Sequence, residues 1–176
     1  MYLWIGCKLP EAFSQEIRRY LLSLPGSSAM DLSGFSLPQH ISLKISFEAG
    51  AKYAQMLNHL SHLLQLQKPF SVHPIGVESL SSILWICFRE NTHLQQLHRM
   101  LDTELEHRFG IGQHPFDQQF IFHSTLCMGK AEAISALEQQ FSSFQFPSEL
   151  VIDTFLLGIS ETGDSGSYRV IREISL

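Results

Sequence analysis

Apolar residues recur along this chain with two periods, and the switches between them mark out its elements. Tyr2 to Cys7 is a short aromatic and apolar run that predicts a buried strand, ended by Lys8. Pro10 and Glu11 suit the first turn of a helix. Its apolar stripe would be Phe13, Ile17, Leu21 and Leu24, with Pro25-Gly26 as the stop. Ser27 to Gln39 reads as loop. From His40 the period drops to two: Ile41, Leu43, Ile45 and Phe47 alternate with His40, Ser42, Lys44 and Ser46, a strand with one core face and one polar face. A helix is predicted from about Ala51 to Leu66, striped by Tyr53, Met56, Leu57, Leu60 and Leu64. Phe70–Val77 and Ile83–Arg89 predict two strands joined by a turn at Ser79–Ser82. A third helix is predicted from about Thr92 to Phe109, striped by Leu94, Leu97, Leu101 and Leu105 and closed by Gly110 and Gly112. A strand from about Gln119 to Cys127 precedes a helix from about Glu132 to Phe141. Leu150–Ile159 and Tyr168–Ile174 then flank a polar turn at Thr162–Ser167.

Two of the predicted strands carry the same tetrad, His40-Ile41-Ser42-Leu43 and His123-Ser124-Thr125-Leu126. Residues two apart in a strand share a face and lie roughly 6.5–7 Å apart along it. His40 would project beside Ser42, and His123 beside Thr125. With the two strands side by side, two imidazoles and two hydroxyls would form a symmetric pocket for a phosphate. The motifs are 83 positions apart and each precedes a helix, which suggests a duplicated, pseudo-twofold α+β architecture. Histidines with ordinary pKa values near 6.5 can act as base and acid at neutral pH. One would take a proton from water while the other protonates the leaving oxygen, and the hydroxyls would donate to the non-bridging phosphate oxygens. No metal is needed for this scheme.

Composition narrows the class. Hydrophobic content of 44% with 16% charged residues fits a globular protein, and 176 residues suffice for a full core. The formal charge of −5 argues against stable binding along duplex DNA, yet leaves room for a nucleotide or an RNA end in a locally basic cleft. Cys7, Cys87 and Cys127 are odd in number and form no CxxC, so neither a disulfide framework nor a zinc site is favoured. The start of the chain lacks a basic segment and a long apolar run. No stretch reaches the roughly 20 apolar residues that span a bilayer. A cytoplasmic protein is expected, with no membrane partner.

Other candidates compete less well. His59 and His62 are half of a metal site at helical spacing, with no third ligand suggested. His98 falls on an apolar stripe and reads as a core or boundary histidine. His73, His93, His107 and His114 have no partner pattern. Cys127 would share a face with His123 and Thr125, which raises a Cys–His nucleophile, although packing at the end of an apolar strand is the plainer reading. Glu104 and Glu106 look like a solvated helix face.

The paired tetrads resemble those of the 2H phosphoesterase superfamily, in particular its 2′-5′ RNA ligase-like bacterial branch. YLWIGCKLPE at Tyr2–Glu11, HISLKISF at His40–Phe47 and FIFHSTL at Phe120–Leu126 are similar to that family's opening strand and two motif strands. The closing segment from Ile152 through Tyr168 to Val170 fits its last hairpin. The resemblance implies a bilobal α+β fold in which two mainly antiparallel sheets line a central cleft, with helices packed outside. Residues 1–176 would form one domain of two interleaved lobes. It further implies cofactor-free hydrolysis or ligation at 2′,3′-cyclic phosphates or 2′-5′ phosphodiesters of a nucleotide or RNA end. His40 and His123 would be the acid–base pair, and Ser42 and Thr125 the phosphate holders. A nucleotide- or RNA-end-binding protein of the same fold without turnover is the alternative. This chain has Phe122 where many members have proline, and lacks the arginine that often comes after the second motif; Lys44 or Lys130 could supply that cation.

Overall fold

The computed structural model describes residues 1–164 and 166–176; Ser165, in the turn expected before the last strand, lies outside the described residues. The strands are β1 (Tyr2–Lys8), β2 (His40–Glu48), β3 (Phe70–Val72), β4 (Pro74–Leu80), β5 (Ile83–Phe88), β6 (His123–Met128), β7 (Leu150–Ile152), β8 (Thr154–Ser160) and β9 (Arg169–Ser175). The helices are α1 (Glu11–Ser23), α2 (Tyr53–Gln65), α3 (Thr92–Phe109) and α4 (Ala131–Gln140). No described helix is long and apolar enough to cross a membrane.

The strands form a four-stranded sheet ordered β2-β1-β8-β9, a three-stranded sheet ordered β4-β5-β6 and a small β3-β7 ladder, all antiparallel. This α+β fold repeats one unit twice. β1-α1-β2-α2 and β5-α3-β6-α4 each place a helix between two antiparallel neighbours, and the second strand of each unit carries a tetrad. Both tetrad strands are edge strands of their sheets. The far end of β6 is covered on its free edge, since Asp31 pairs with Met128 through both backbone bonds (2.8 and 3.0 Å). One continuous cluster of buried apolar side chains, from Leu3 and Ile17 to Leu101, Leu126 and Ile174, joins both sheets and all four helices.

Several predicted spans divide. The run expected as one strand over Phe70–Val77 splits at His73, its first part pairing with β7 and its second with β5. Leu150–Ile159 splits in the same way at Asp153. Both breaks fall on polar residues, His73 ahead of Pro74 and Asp153 ahead of Thr154, where the chain passes from one sheet to another. The second tetrad strand starts only at His123, because Pro115–Gln119 forms a 3-10 turn capped by His114.

Candidate active site

His40 and His123 open β2 and β6, and both rings are held alike. Nδ1 of His40 lies 2.7 Å from the Pro38 carbonyl, and Nδ1 of His123 lies 2.8 Å from the Ile121 carbonyl. A carbonyl can only accept, so Nδ1 carries the proton in each ring and Nε2 of the neutral imidazole is left to exchange one. Each ring also rests against an indole: Trp4 meets His40 edge-on with centroids 4.3 Å apart, and Trp85 lies 4.6 Å from His123. Burial is the main cause that pushes His40 down to about 4, partly opposed by the bond to Pro38 and reinforced by charge on His123. Burial lowers His123 as well. A charge on one ring therefore disfavours a charge on the other, as expected of two groups that share a site.

The strands meet through Gln39. Its buried amide donates to the Thr125 carbonyl at 3.1 Å and its oxygen accepts the Ser124 hydroxyl at 2.7 Å. The residue before one histidine thus grips the two residues that come directly after the other. Beside His40, Ser42 Oγ accepts the Trp4 indole N–H at 3.2 Å, which leaves the hydroxyl proton for an incoming oxygen. Trp4 lies over two glycines: a Cβ on Gly6 or Gly158 would come within 2.9 or 2.6 Å of the indole. Trp4, Trp85, Gly6 and Gln39 carry no motif signal, since aromatic strand residues read as core and Gln39 as loop.

Thr125 pairs with Trp85 in the ladder and Ser42 with Gly6, so both hydroxyls keep the face of their histidines. The next strand position does not. The β1–β2 register shifts between Gly6–Ser42 and Ile5–Lys44, and the β5–β6 register shifts between Trp85–Thr125 and Leu84–Cys127. Each motif strand thus carries a bulge just past its hydroxyl, and the extra residue turns the next position that would share that face inward. Lys44 therefore does not share the polar face expected for it. It is 2% exposed, and its ammonium pairs with Asp102 at 2.7 Å and with Asp117. Cys127 is likewise turned inward, where burial raises its thiol to about 11, so the Cys–His arrangement does not form. Cys87 faces His123 across the ladder instead, with its thiol pushed up to about 12 by burial and then by Glu78. Lys130 is exposed immediately ahead of α4.

His98, Asp102 and Asp117 offer three ligand atoms within 4.8 Å of one another, the one such cluster among the described residues, and the Lys44 ammonium supplies positive charge to it. The cluster does not include His59 or His62. His59 instead meets Glu104 at 2.9 Å, so that carboxylate is paired rather than merely solvated.

No curated protein matches the sequence. Among solved structures, TT0787 of Thermus thermophilus aligns over 100% of this chain and 98% of its own, with a TM-score of 0.69 at 20% identity. E. coli LigT complexed with 3′-AMP aligns over 99% and 96%, with a TM-score of 0.65 at 20% identity. Usb1 of Kluyveromyces marxianus aligns over 99% and 98%, with a TM-score of 0.62 at 12% identity. At these identities the likeness is one of fold. The sequence itself matches the profile of the 2′-5′ RNA ligase superfamily over residues 10–164, and the chain belongs to that superfamily.

Proposed function

We propose that the protein is a phosphoesterase that acts on a 2′,3′-cyclic phosphate or 2′-5′ phosphodiester of a nucleotide or RNA end, with His40 and His123 as its acid–base pair. The observation that carries this reading is the shared posture of the two imidazoles. Each donates Nδ1–H to the carbonyl two residues earlier, each keeps Nε2 for proton exchange, and the charge of one is felt by the other. Binding alone would not call for two rings so prepared. E. coli LigT, of the same fold, has been solved with 3′-AMP, phosphate, NADP+ and ATP. A nucleoside 3′-phosphate is one of the two monoesters that opening a 2′,3′-cyclic phosphate can yield.

In hydrolysis, one ring takes a proton from water through Nε2 as the water oxygen bonds to phosphorus. The other ring, protonated once the phosphate is bound, gives its proton to the leaving ribose oxygen as that P–O bond breaks. Burial keeps both rings neutral in the free protein, and a bound phosphate favours charge on one of them, so the pair holds one proton between its members. Ser42 and Thr125 donate to the non-bridging oxygens as charge builds there. The product is a phosphomonoester, and exchange with solvent restores both rings. Every proton has a donor and an acceptor among these residues, so the scheme calls for no cofactor.

A product screen tests the reading directly. Purified protein with chelator is offered 2′,3′-cyclic nucleotides, 2′-5′ oligonucleotides and ADP-ribose cyclic phosphate. A monoester or cleaved product from at least one of them is expected. Saturable binding with no product across the panel would leave a nucleotide-binding protein in its place.

A further inference from the structure

We infer that Lys44 is a positioning residue for His123: it fastens the segment ahead of that histidine to the strand that carries His40. The β2 bulge takes Leu43 out of ladder register with β1, and His98 on α3 takes up its carbonyl through Nδ1 at 2.7 Å. The same bulge turns Lys44 inward, where its ammonium reaches Asp102 of α3 and Asp117 of the 3-10 turn. Asp117 also accepts the His114 backbone N–H at 2.7 Å, and its own carbonyl lies 3.1 Å from His98 Nε2. His98 then stacks on Phe120, with ring centroids 4.4 Å apart, and meets Phe122 edge-on. From His114 to Phe122 the chain is therefore tied at its carboxylate, a carbonyl and two rings, and the next residue is His123.

The burial of these groups makes the tie stiff. Lys44, Asp102 and Asp117 are at most 4% exposed by side chain, so none can exchange its partner for water. A buried charge held by opposite charges in fixed geometry tolerates little displacement, which is the setting in which such pairs specify position. Gln39 joins the strands beside the motifs, and the Lys44 cluster ties β2 to α3 and to the segment that leads into β6. The lysine two places after the hydroxyl thus acts through His123 and stands away from the phosphate.

This inference rests on the proposed function only where turnover is the readout. Three variants separate the possibilities: Lys44→Met, Lys44→Met with Asp117→Asn, and Asp117→Asn alone. The double variant removes one charge of each sign and so leaves the net charge of the cluster unchanged. In folded variants kcat on a 2′,3′-cyclic nucleotide should fall about tenfold to a hundredfold, the range that small misplacement of a catalytic group can cost. KM should stay within about threefold. In the free protein, the His123 imidazole resonances should shift and broaden relative to wild type, whether or not a substrate has been found. A raised KM with kcat retained would place Lys44 at the phosphate and overturn the inference. So would an unchanged His123 spectrum in the double variant. A wild-type protein without turnover would count against the proposed function alone, with the His123 spectrum still deciding this point.

Discussion

The Gln39 side chain bridges to Ser124, its oxygen accepting that hydroxyl at 2.7 Å while its amide reaches the Thr125 carbonyl. Gln39 precedes His40 and Ser124 comes after His123, so one buried carboxamide joins the two edge strands at the motifs. Gln39→Ala would remove the partner of the buried Ser124 hydroxyl and of the half-buried Thr125 carbonyl. Leaving such groups unpaired costs roughly 1–3 kcal/mol each at most. Thermal or urea unfolding should show a loss of that order, and kcat should fall with it as the two imidazoles lose their common mount. A variant as stable as wild type would mean the bridge is replaced by water at no cost.

The titration of His40 is expected to respond to anions. With no ligand, its proton should come off near pH 4 because the buried ring resists charge. A phosphate beside the ring favours the charged form, so added phosphate should raise that value. By linkage, an anion that does not titrate in this range, such as sulfate, should bind more tightly as pH falls from 7 toward 5. NMR of the imidazole protons with and without phosphate or sulfate checks both. A His40 titration unmoved by saturating phosphate would separate the ring from the anion.

The same depression gives a stability prediction. An unfolded His40 titrates near 6.5 and the folded one near 4, so the unfolded chain holds more protons between these values. The contribution from keeping the ring neutral is complete above about pH 6.5 and is lost as pH falls toward 4. Denaturant midpoints measured from pH 7 to pH 4.5 should decline less steeply in His40→Gln than in wild type. Equal slopes would contradict the assignment.

Gly6 packs against both the Trp4 and the His40 rings. A methyl there would stand 2.9 Å from the Trp4 ring, 3.2 Å from the Ile41 carbonyl and 3.3 Å from the His40 ring. Gly6→Ala should displace the indole and the imidazole together, costing about 1–3 kcal/mol by overpacking and lowering kcat more than a change on the far side of the sheet. Trp4→Phe keeps most of the ring but removes the N–H that Ser42 accepts. Its expected mark is a modest loss in kcat with little change in stability. Urea midpoints and steady-state rates for the two variants separate crowding from the lost donor.

Much of the fold and the pairing of residues in the candidate site are legible in the sequence, and the rest is hidden for physical reasons. The tetrads are readable because a half-buried strand alternates, which puts Ser42 with His40 and Thr125 with His123, as the ladder registers have them. The same alternation carried one residue too far places Lys44 and Cys127 on that face. A bulge adds a residue without disturbing an apolar-polar pattern, so the reversal after Leu43 and Leu126 leaves no trace in the letters. The helix expected over about Thr92 to Phe109 forms there, capped by Asn91 and ended by Gly110 in a left-handed turn. Gln39 and Trp4 are not readable as site residues, because their roles come from partners far away in sequence, Ser124 and Ser42 respectively.

The most direct test compares hydrolysis of a 2′,3′-cyclic nucleotide, with chelator present, by wild type, His40→Ala and His123→Ala. Positioned acid–base groups are typically worth about 10²–10⁴-fold each, so each variant should lose at least about a hundredfold in kcat while remaining folded. Either variant turning over at the wild-type rate would contradict the paired-histidine account.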